Sequence, residues 1–207
     1  QYLLNMQDRE GEEDFICARS CTAAMEWLDR NAHQKPFMLW MELFDPHEPW
    51  DPPPRLREKY YDDYPAEEFH FGYGVDKSLV RDEDLPAIRA LYEGEIEFLD
   101  EWIGRLLDHV EDLGLLDDTA IVFTTDHGTH LGEEGCLQKT WSYLNSMVAQ
   151  LPMIVRHPND RFAGTEVDAL VSGMDLAPML MRFAGVGDHP PMDGEDMWRL
   201  AEGEARS

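Results

Sequence analysis

The sequence predicts an α/β fold, in which a mostly parallel sheet is flanked by helices on both faces. Three short, nearly continuous apolar runs, at 36–44, 119–125 and 151–157, are typical of strands buried on both faces. Helical periodicities lie between and around these runs, and strands that alternate with helices favour a parallel sheet. At 207 residues and 43% hydrophobic content, the chain is expected to form a single domain over 1–207.

The first part of the chain predicts one helix, one strand and one long loop. Apolar residues recur at helical spacing over 14–31, with Asp14 as the candidate N-cap. The strand at 36–44 ends in "DPHEPWDPPP", whose prolines favour neither strand nor helix. We therefore expect a long surface loop over 45–80, and loops of that length tend to be functional.

The second part of the chain carries the strongest helical signal. Apolar residues recur at three and four over 83–116, with Gly114 as the stop. The remaining elements follow in order: strands at 119–125 and 151–157, a helix at 175–185 that ends at Gly185, and the start of a C-terminal extension at 186–207.

Composition excludes several classes of partner. A formal net charge of −26 repels phosphate backbones and anionic bilayers, so we expect no nucleic acid and no membrane partner. No apolar run approaches the roughly 18 residues that suggest a membrane span. The cysteines Cys17, Cys21 and Cys136 are odd in number and lack zinc-type spacing, so they predict neither a disulfide framework nor a structural metal site.

Polar side chains follow two of the predicted strands. His47 comes after the first strand, and Asp126 and His127 come directly after the second. Carboxyl ends of parallel strands meet at one rim of a sheet, where ligands bind. A carboxylate and a neutral imidazole can ligate a divalent cation, and the Lys139 ammonium can bind an oxyanion. Taken singly, each has an ordinary alternative: an Asx-type turn, a loop histidine or a solvated lysine.

The whole arrangement resembles a known family. The stretch "TAIVFTTDHGTHLGEEGCLQK" with "LPMIV" after it, together with "DPHEPW", "IEFLDEWIGRLLDHVEDLGLLDDT", "DLAPMLMRFAGV" and "MDGEDM", is similar to the sulfatases of the alkaline phosphatase superfamily. The resemblance implies an alkaline phosphatase-like fold and a type I sulfatase. Such an enzyme hydrolyses sulfate esters with a formylglycine nucleophile beside a divalent metal, usually calcium.

The resemblance also implies roles for individual residues. Asp126 and His127 match metal ligands, although imidazole is an unusual donor for calcium and magnesium or manganese stay open. Lys139 matches the lysine that binds a sulfate oxygen. His47 matches the histidine that contacts sulfate and helps to protonate the leaving oxygen. Fixed cationic donors stabilise the negative charge that builds up as a sulfate ester breaks.

The nucleophile motif of that family, CxPSR or CxAxR, is missing from this chain. "CARSC" at 17–21 lacks its Pro or Ala and its Arg, and it falls within a predicted amphipathic helix. The early paired aspartates are missing too. We therefore interpret the chain as the C-terminal portion of a sulfatase, which is inactive alone, binds metal weakly and self-associates through an exposed apolar sheet edge.

Two other functions stay open. One is a phosphodiesterase or phosphonate hydrolase of the same superfamily, for which His157 and His189 could supply a further metal ligand. The other is a non-catalytic binding module with this fold. The expected substrate is a sulfated small molecule or carbohydrate, and aromatic residues of the 45–80 loop could stack on sugars or simply pack: Trp50, Tyr60, Tyr61 and Tyr64.

Overall fold

The computed structural model describes residues 9–61, 78, 80–139 and 144–204. Its helices are α1 (Ile16–Asn31), α2 (Pro54–Tyr60), α3 (Leu85–Asp112), α4 (Ser146–Ala149), α5 (Leu176–Phe183) and α6 (Met197–Ala201). Its strands are β1 (Ile121–Thr124), β2 (His130–Leu131), β3 (Leu137–Gln138) and β4 (Met153–Arg156). The long helices and the β1 and β4 strands therefore lie where the sequence predicts them.

The α1 helix buries one apolar face against α3. Two residues of α1, Cys17 and Cys21, are almost completely buried, as is Leu56 of α2. They form one core cluster with Phe98 and Trp102 of α3. The helix begins after Phe15 rather than at the expected cap, Asp14. Asp14 instead ends a short 3₁₀ turn, Glu12–Asp14, and its carboxylate accepts hydrogen bonds from the backbone N–H groups of Glu10 and Gly11.

The prediction that the proline cluster cannot form a helix is wrong at its end. The α2 helix begins at Pro54, where proline lacks only an N–H that the first turn of a helix leaves without an intrahelical partner. The predicted loop over 45–80 is thus interrupted by a helix that packs on α3. Residues 62–77 of that loop, including Tyr64, lie outside the described residues.

The strand pairing differs from the predicted parallel arrangement. β1 pairs with β4 in antiparallel register, with Val122 opposite Val155. β2 and β3 are also antiparallel. Among the described residues there are only these two two-stranded sheets. Apolar content indicates a strand but not its direction, which depends on the neighbour it pairs with.

The segment predicted as the first strand is extended but unpaired within the described part of the chain. From Phe37 to Phe44, side chains alternate between half-buried and exposed. Met38 and Trp40 are 67% and 66% exposed. The alternation has the period of a strand with one covered face, so the prediction that both faces are buried is not met here.

The chain divides into two compact units, and each has its own core. The first comprises residues 1–116 and 127–151, and the second 117–126 and 152–207. In the second unit, Met179, Met197 and Trp198 are buried against the apolar face of β1 and β4. No helix in the described ranges is both long and apolar enough to cross a membrane.

Candidate active site

A short hairpin in the first unit positions Lys139. β2 and β3 pair His130 with Gln138, and Lys139 follows directly. His130 is fully buried, and its Nδ1 lies 2.9 Å from the carbonyl oxygen of Gln138, while Nε2 lies 3.2 Å from Asn145 Oδ1. Gln138 has a φ of 60°, a left-handed conformation that is uncommon for a residue with a Cβ. The backbone before Lys139 is thus held in a costly conformation by buried hydrogen bonds.

The structure brings His47 and Lys139 into direct contact. Lys139 Nζ lies 2.6 Å from His47 Nε2, although the two residues are 92 positions apart in sequence. His47 Nδ1 lies 2.6 Å from the carbonyl oxygen of Glu48. A carbonyl only accepts, so Nδ1 carries the proton, and Nε2 offers its lone pair to the Lys139 ammonium. His47 in this state is a neutral imidazole.

The His47 ring is also fixed by packing. Its backbone N–H donates to the carbonyl oxygen of Phe44 at 3.0 Å, and the Phe44 ring stacks on the imidazole at 4.3 Å between centroids. The side chain of His47 is 19% exposed and that of Lys139 is 26% exposed. Both therefore stay within reach of a small ligand while their geometry is set by the protein.

A buried carboxylate lies beside this pair. Glu48 is 3% exposed, and its Oε1 lies 3.5 Å from Lys139 Nζ. Its Oε2 lies 3.7 Å from His47 Nδ1. Glu48 Oε1 has no hydrogen-bond partner among the described residues. Glu48 was not predicted from the sequence, because it is one of three acidic residues in the proline-rich stretch "DPHEPWDPPP" and nothing in its type indicates burial.

The loop that carries His47 is anchored to the helices behind it. The Trp50 indole is 4% exposed, donates its N–H to the carbonyl oxygen of Pro46 at 3.1 Å and packs edge-on against Tyr92. Trp50 is therefore a packing residue in this structure. The Asp51 N–H donates to Glu95 Oε1 at 2.5 Å.

Glu95 is a buried carboxyl in the middle of α3. It is 6% exposed, and its Oε2 lacks a hydrogen-bond partner in the described ranges. Burial, and secondarily the negative charge of Asp45, raise the pKa of Glu95 well above its ordinary value. This side chain was also missed from the sequence, because a single glutamate on a long helix usually faces water.

The predicted metal ligands fall on either side of the boundary between the two units. Asp126 ends the first segment of the second unit, and His127 begins the second segment of the first unit. The proximity of Asp126 to His47 and Lys139 stays a prediction. His127 Nδ1 lies 3.0 Å from the carbonyl oxygen of Gly128, which places the proton on Nδ1 and the lone pair on Nε2, the nitrogen that a metal would bind.

Gly128 is required by a close backbone approach. Its N–H donates to the carbonyl oxygen of Val148 at 2.9 Å, and a Cβ at this position would lie 2.0 Å from the carbonyl oxygen of Met147. No side chain fits at that distance. The glycine after His127 thus lets two backbone segments touch.

The cysteines of "CARSC" do not form a nucleophile. Cys17 and Cys21 are both fully buried on α1. Burial raises the pKa of Cys17 far above its ordinary value and that of Cys21 to about 11. Both thiols are protonated at neutral pH, and the thiolate is the reactive form. The prediction that this stretch lies within a helix is confirmed, and its two cysteines belong to the core.

Metal ligands do not assemble into a full set within the described residues. Across residues 9–61, 78, 80–139 and 144–204, no group of three or more His, Cys, Asp or Glu side chains could hold a metal ion. Asp126 and His127 together provide one carboxylate and one imidazole, which is part of a coordination shell.

Comparisons with known proteins identify the family. A sequence profile of the sulfatase family matches residues 16–186. The chain is 28% identical over 195 residues to an arylsulfatase of Clostridium perfringens, which covers 86% of this chain and 40% of that protein. It is 35% identical over 116 residues to an N-acetylglucosamine-6-O-sulfatase of Bacteroides thetaiotaomicron, which covers 56% of this chain and 20% of that protein.

The fold is also that of solved relatives. The structure of a phosphonate monoester hydrolase from Agrobacterium radiobacter matches with a TM-score of 0.72 at 25% identity, over 95% of this chain and 44% of that one. The chain therefore spans less than half the length of the relatives named here. Members of the family generally use a metal ion and a formylglycine. The profile match over most of its length shows that this chain belongs to the sulfatase family.

Proposed function

We propose that this chain carries the cationic side of the active site of a sulfuric ester hydrolase, with His47 and Lys139 as the residues that contact the sulfate group. The single observation that supports this role is the 2.6 Å contact between Lys139 Nζ and His47 Nε2. Two nitrogen-bearing side chains converge here from distant parts of the chain, and both are part-exposed. The Lys139 ammonium, and His47 once its Nε2 is protonated, can donate to a tetrahedral oxyanion.

The tautomer of His47 suggests how the pair would work. Without an anion, the Lys139 ammonium donates to Nε2 of a neutral imidazole. A bound sulfate offers better acceptors, so its oxygens take over the ammonium's hydrogen bond. His47 Nε2 then takes up a proton from solvent water, which gives the imidazolium, and donates that proton to the leaving oxygen as the S–O bond of the ester breaks. The Nδ1–H bond to the Glu48 carbonyl keeps the ring orientation unchanged during that exchange.

A divalent metal fits the donor chemistry of Asp126 and His127, and we propose calcium, with magnesium or manganese as alternatives. Their carboxylate oxygen and Nε2 nitrogen would hold it, together with ligands from outside the described residues. Such an ion, when bound, polarises the sulfate ester and neutralises developing charge. Within this chain, the carbonyl of Gly128 orients the His127 ring for that purpose.

The nucleophile of the proposed reaction is a formylglycine that this chain does not contain. We accordingly propose that residues 1–207 alone do not turn over sulfate esters, and that activity belongs to a longer protein. The N-acetylglucosamine-6-O-sulfatase among the relatives favours a sulfated carbohydrate or another sulfated small molecule as the substrate. Among the aromatic residues first considered for sugar stacking, Tyr60 is 39% exposed and hydrogen-bonded to Glu97.

The second candidate is hydrolysis of phosphonate monoesters or phosphodiesters. The fold match to the phosphonate monoester hydrolase favours it. Sulfate and phosphonate esters share the tetrahedral oxyanion that His47 and Lys139 would contact, so the site geometry fits both. His157 is surrounded by Phe162, Phe183 and Trp198, an aromatic setting that suits packing better than metal ligation.

The test is a substrate panel with the protein expressed from its full reading frame. We expect hydrolysis of p-nitrophenyl sulfate to exceed that of p-nitrophenyl phenylphosphonate and of bis-p-nitrophenyl phosphate. A preference for either phosphorus ester would replace the sulfatase assignment with the second candidate. A full-length protein that hydrolyses none of the three, yet binds inorganic sulfate, would favour the non-catalytic binding module.

A further inference from the structure

Burial of the Glu48 carboxylate costs folding free energy. Its side chain is only 4% exposed, and one of its carboxylate oxygens has no hydrogen-bond partner among the described residues. Burial of an incompletely bonded carboxylate is strongly unfavourable unless a cation lies nearby. The cation here is Lys139, whose Nζ lies 3.5 Å from Oε1.

The Glu48 carboxylate faces both members of the proposed sulfate-binding pair. Oε1 faces the ammonium of Lys139, and Oε2 lies 3.7 Å from the protonated nitrogen of His47. The backbone carbonyl of the same residue accepts the Nδ1–H bond. One residue therefore fixes the ring tautomer through its main chain and balances the nearby charge through its side chain.

We propose that Glu48 is a positioning residue, which holds Lys139 against His47 and offsets the ammonium charge while no anion is bound. This proposal rests on the proposed function, because it deepens the role of the same site. With His47 neutral, the charges of Glu48 and Lys139 offset each other. When His47 takes up a proton during turnover, the same carboxylate stabilises the imidazolium.

Removal of this charge should therefore act on binding and turnover in opposite directions. Glu48→Gln keeps the shape of the side chain but leaves the ammonium uncompensated. We expect inorganic sulfate to bind about fivefold to tenfold more tightly, the order expected when a like charge a few ångströms from an anion is removed. We expect kcat to fall by about tenfold or more, because the His47 imidazolium loses its counter-charge and sulfate leaves more slowly.

The experiment compares three variants of the full-length protein with the wild type: Glu48→Gln, Glu48→Asp and Glu42→Gln. Glu42 is an exposed glutamate on the preceding extended segment, so Glu42→Gln is the matched chemical control. The inhibition constant of inorganic sulfate and the kcat for p-nitrophenyl sulfate are measured for each, with the thermal midpoint as a check on folding. Glu48→Asp keeps the charge and should restore the sulfate affinity towards that of the wild type.

A purely structural role predicts a different result. Glu48→Gln would then lower kcat and sulfate affinity together, along with the thermal midpoint, or change none of them, and either result would overturn the proposal. A sulfate affinity in Glu48→Asp that equals that of Glu48→Gln would also overturn it, because the charge would then be irrelevant.

A second readout separates this proposal from the proposed function. The ring nitrogens of His47 are followed by NMR in the 207-residue chain itself, with and without inorganic sulfate. Sulfate that leaves the wild-type ring unchanged contradicts the sulfate-binding role of His47. The Glu48 claim is decided independently: Glu48→Gln should shift the Nε2 resonance and Glu42→Gln should not, and an unmoved Nε2 in Glu48→Gln would refute it.

Discussion

Two adjacent segments of the first unit differ in how far contacts within the chain hold and bury their side chains. Residues 45–53 carry polar groups inward, and each is held by contacts within the chain: Glu48 faces Lys139, Trp50 is buried against Tyr92, and Asp51 bonds Glu95. Residues 37–44 are more apolar, yet they leave Met38 and Trp40 mostly exposed. The polar segment is stabilised by its own chain, whereas the apolar segment lacks a strand neighbour among the described residues.

This contrast shows that the conformation of a loop and the pairing of a strand depend on different interactions. Specific hydrogen bonds and ion pairs fix the His47 loop without a complete sheet. A strand satisfies its backbone N–H and C=O groups by pairing with a neighbouring strand, and residues 37–44 have no such neighbour among the described residues. Contacts within the chain can thus fix the geometry of the His47 loop where the neighbouring residues 37–44 have no strand partner in the described part of the chain.

The largest difference in stability should be between alanine variants of two tryptophans, one buried in residues 45–53 and one exposed in residues 37–44. Trp50→Ala removes a buried indole and its hydrogen bond, and should lower the free energy of unfolding by about 3 to 5 kcal/mol. Trp40→Ala removes an exposed indole and should change it by less than about 0.5 kcal/mol. Urea denaturation followed by circular dichroism measures both. Equal losses for the two variants would remove the distinction between the segments.

The buried carboxyl of Glu95 should make the first unit sensitive to pH. The pKa of Glu95 in the folded protein is raised above the ordinary value of 4.5. The stability that the protonated carboxyl contributes is therefore fully present below pH 4.5 and is lost as the pH rises through the folded pKa. Glu95→Gln, which stays neutral, should be more stable than the wild type at pH 8 by about 1 kcal/mol, the scale of an unsatisfied buried group. The difference should vanish near pH 4.

Glu97 is the control for this pH dependence, because it lies two residues away on α3 and its pKa is shifted in the opposite direction. Hydrogen bonds from Lys59 and Tyr60 lower the pKa of Glu97. The stability it contributes is present above the ordinary pKa and lost as pH falls through the lowered value. Thermal melts of Glu95→Gln and Glu97→Gln across pH should therefore show opposite trends. A parallel trend would contradict the assignment of the effect to burial of Glu95.

The exposed apolar face of residues 37–44 should promote self-association of the 207-residue chain. Trp40→Glu places a charge on that face and should weaken association by about tenfold, because a buried charge without a partner is costly. Multi-angle light scattering over a range of concentrations measures it, with the exposed Leu170→Glu of the second unit as control. A wild-type chain that is monomeric at every concentration would disprove this prediction.

The sequence predicted the positions of the helices and strands better than their pairing and contacts. Helical periodicity and Gly114 placed α3 correctly, because an amphipathic stripe and a left-handed stop are local properties. The antiparallel pairing of β1 with β4 could not be derived, since Val122 and Val155 meet through a long connection. His47 and Lys139 were expected to contact the same anion from the resemblance, but their direct contact at 2.6 Å is visible only in the folded chain.

The missed residues have a common physical cause. Glu48, Glu95 and His130 are polar groups whose importance comes from burial, and burial of a polar residue is the opposite of what its type predicts. The need for glycine at Gly128 likewise arises from contact with a segment 19 residues later, at Met147. Such requirements appear only when distant parts of the backbone are placed together.

The central claim is that Lys139 and His47 bind one tetrahedral anion, and a lysine comparison in the full-length protein tests it most directly. Lys139→Ala should lower kcat/KM for p-nitrophenyl sulfate by about 100-fold or more, as loss of a fixed transition-state donor does. Lys59→Ala removes an exposed lysine that pairs with Glu97 and should leave kcat/KM within about twofold. Equal activity of Lys139→Ala and Lys59→Ala, in a wild-type protein that hydrolyses the ester, would contradict the account.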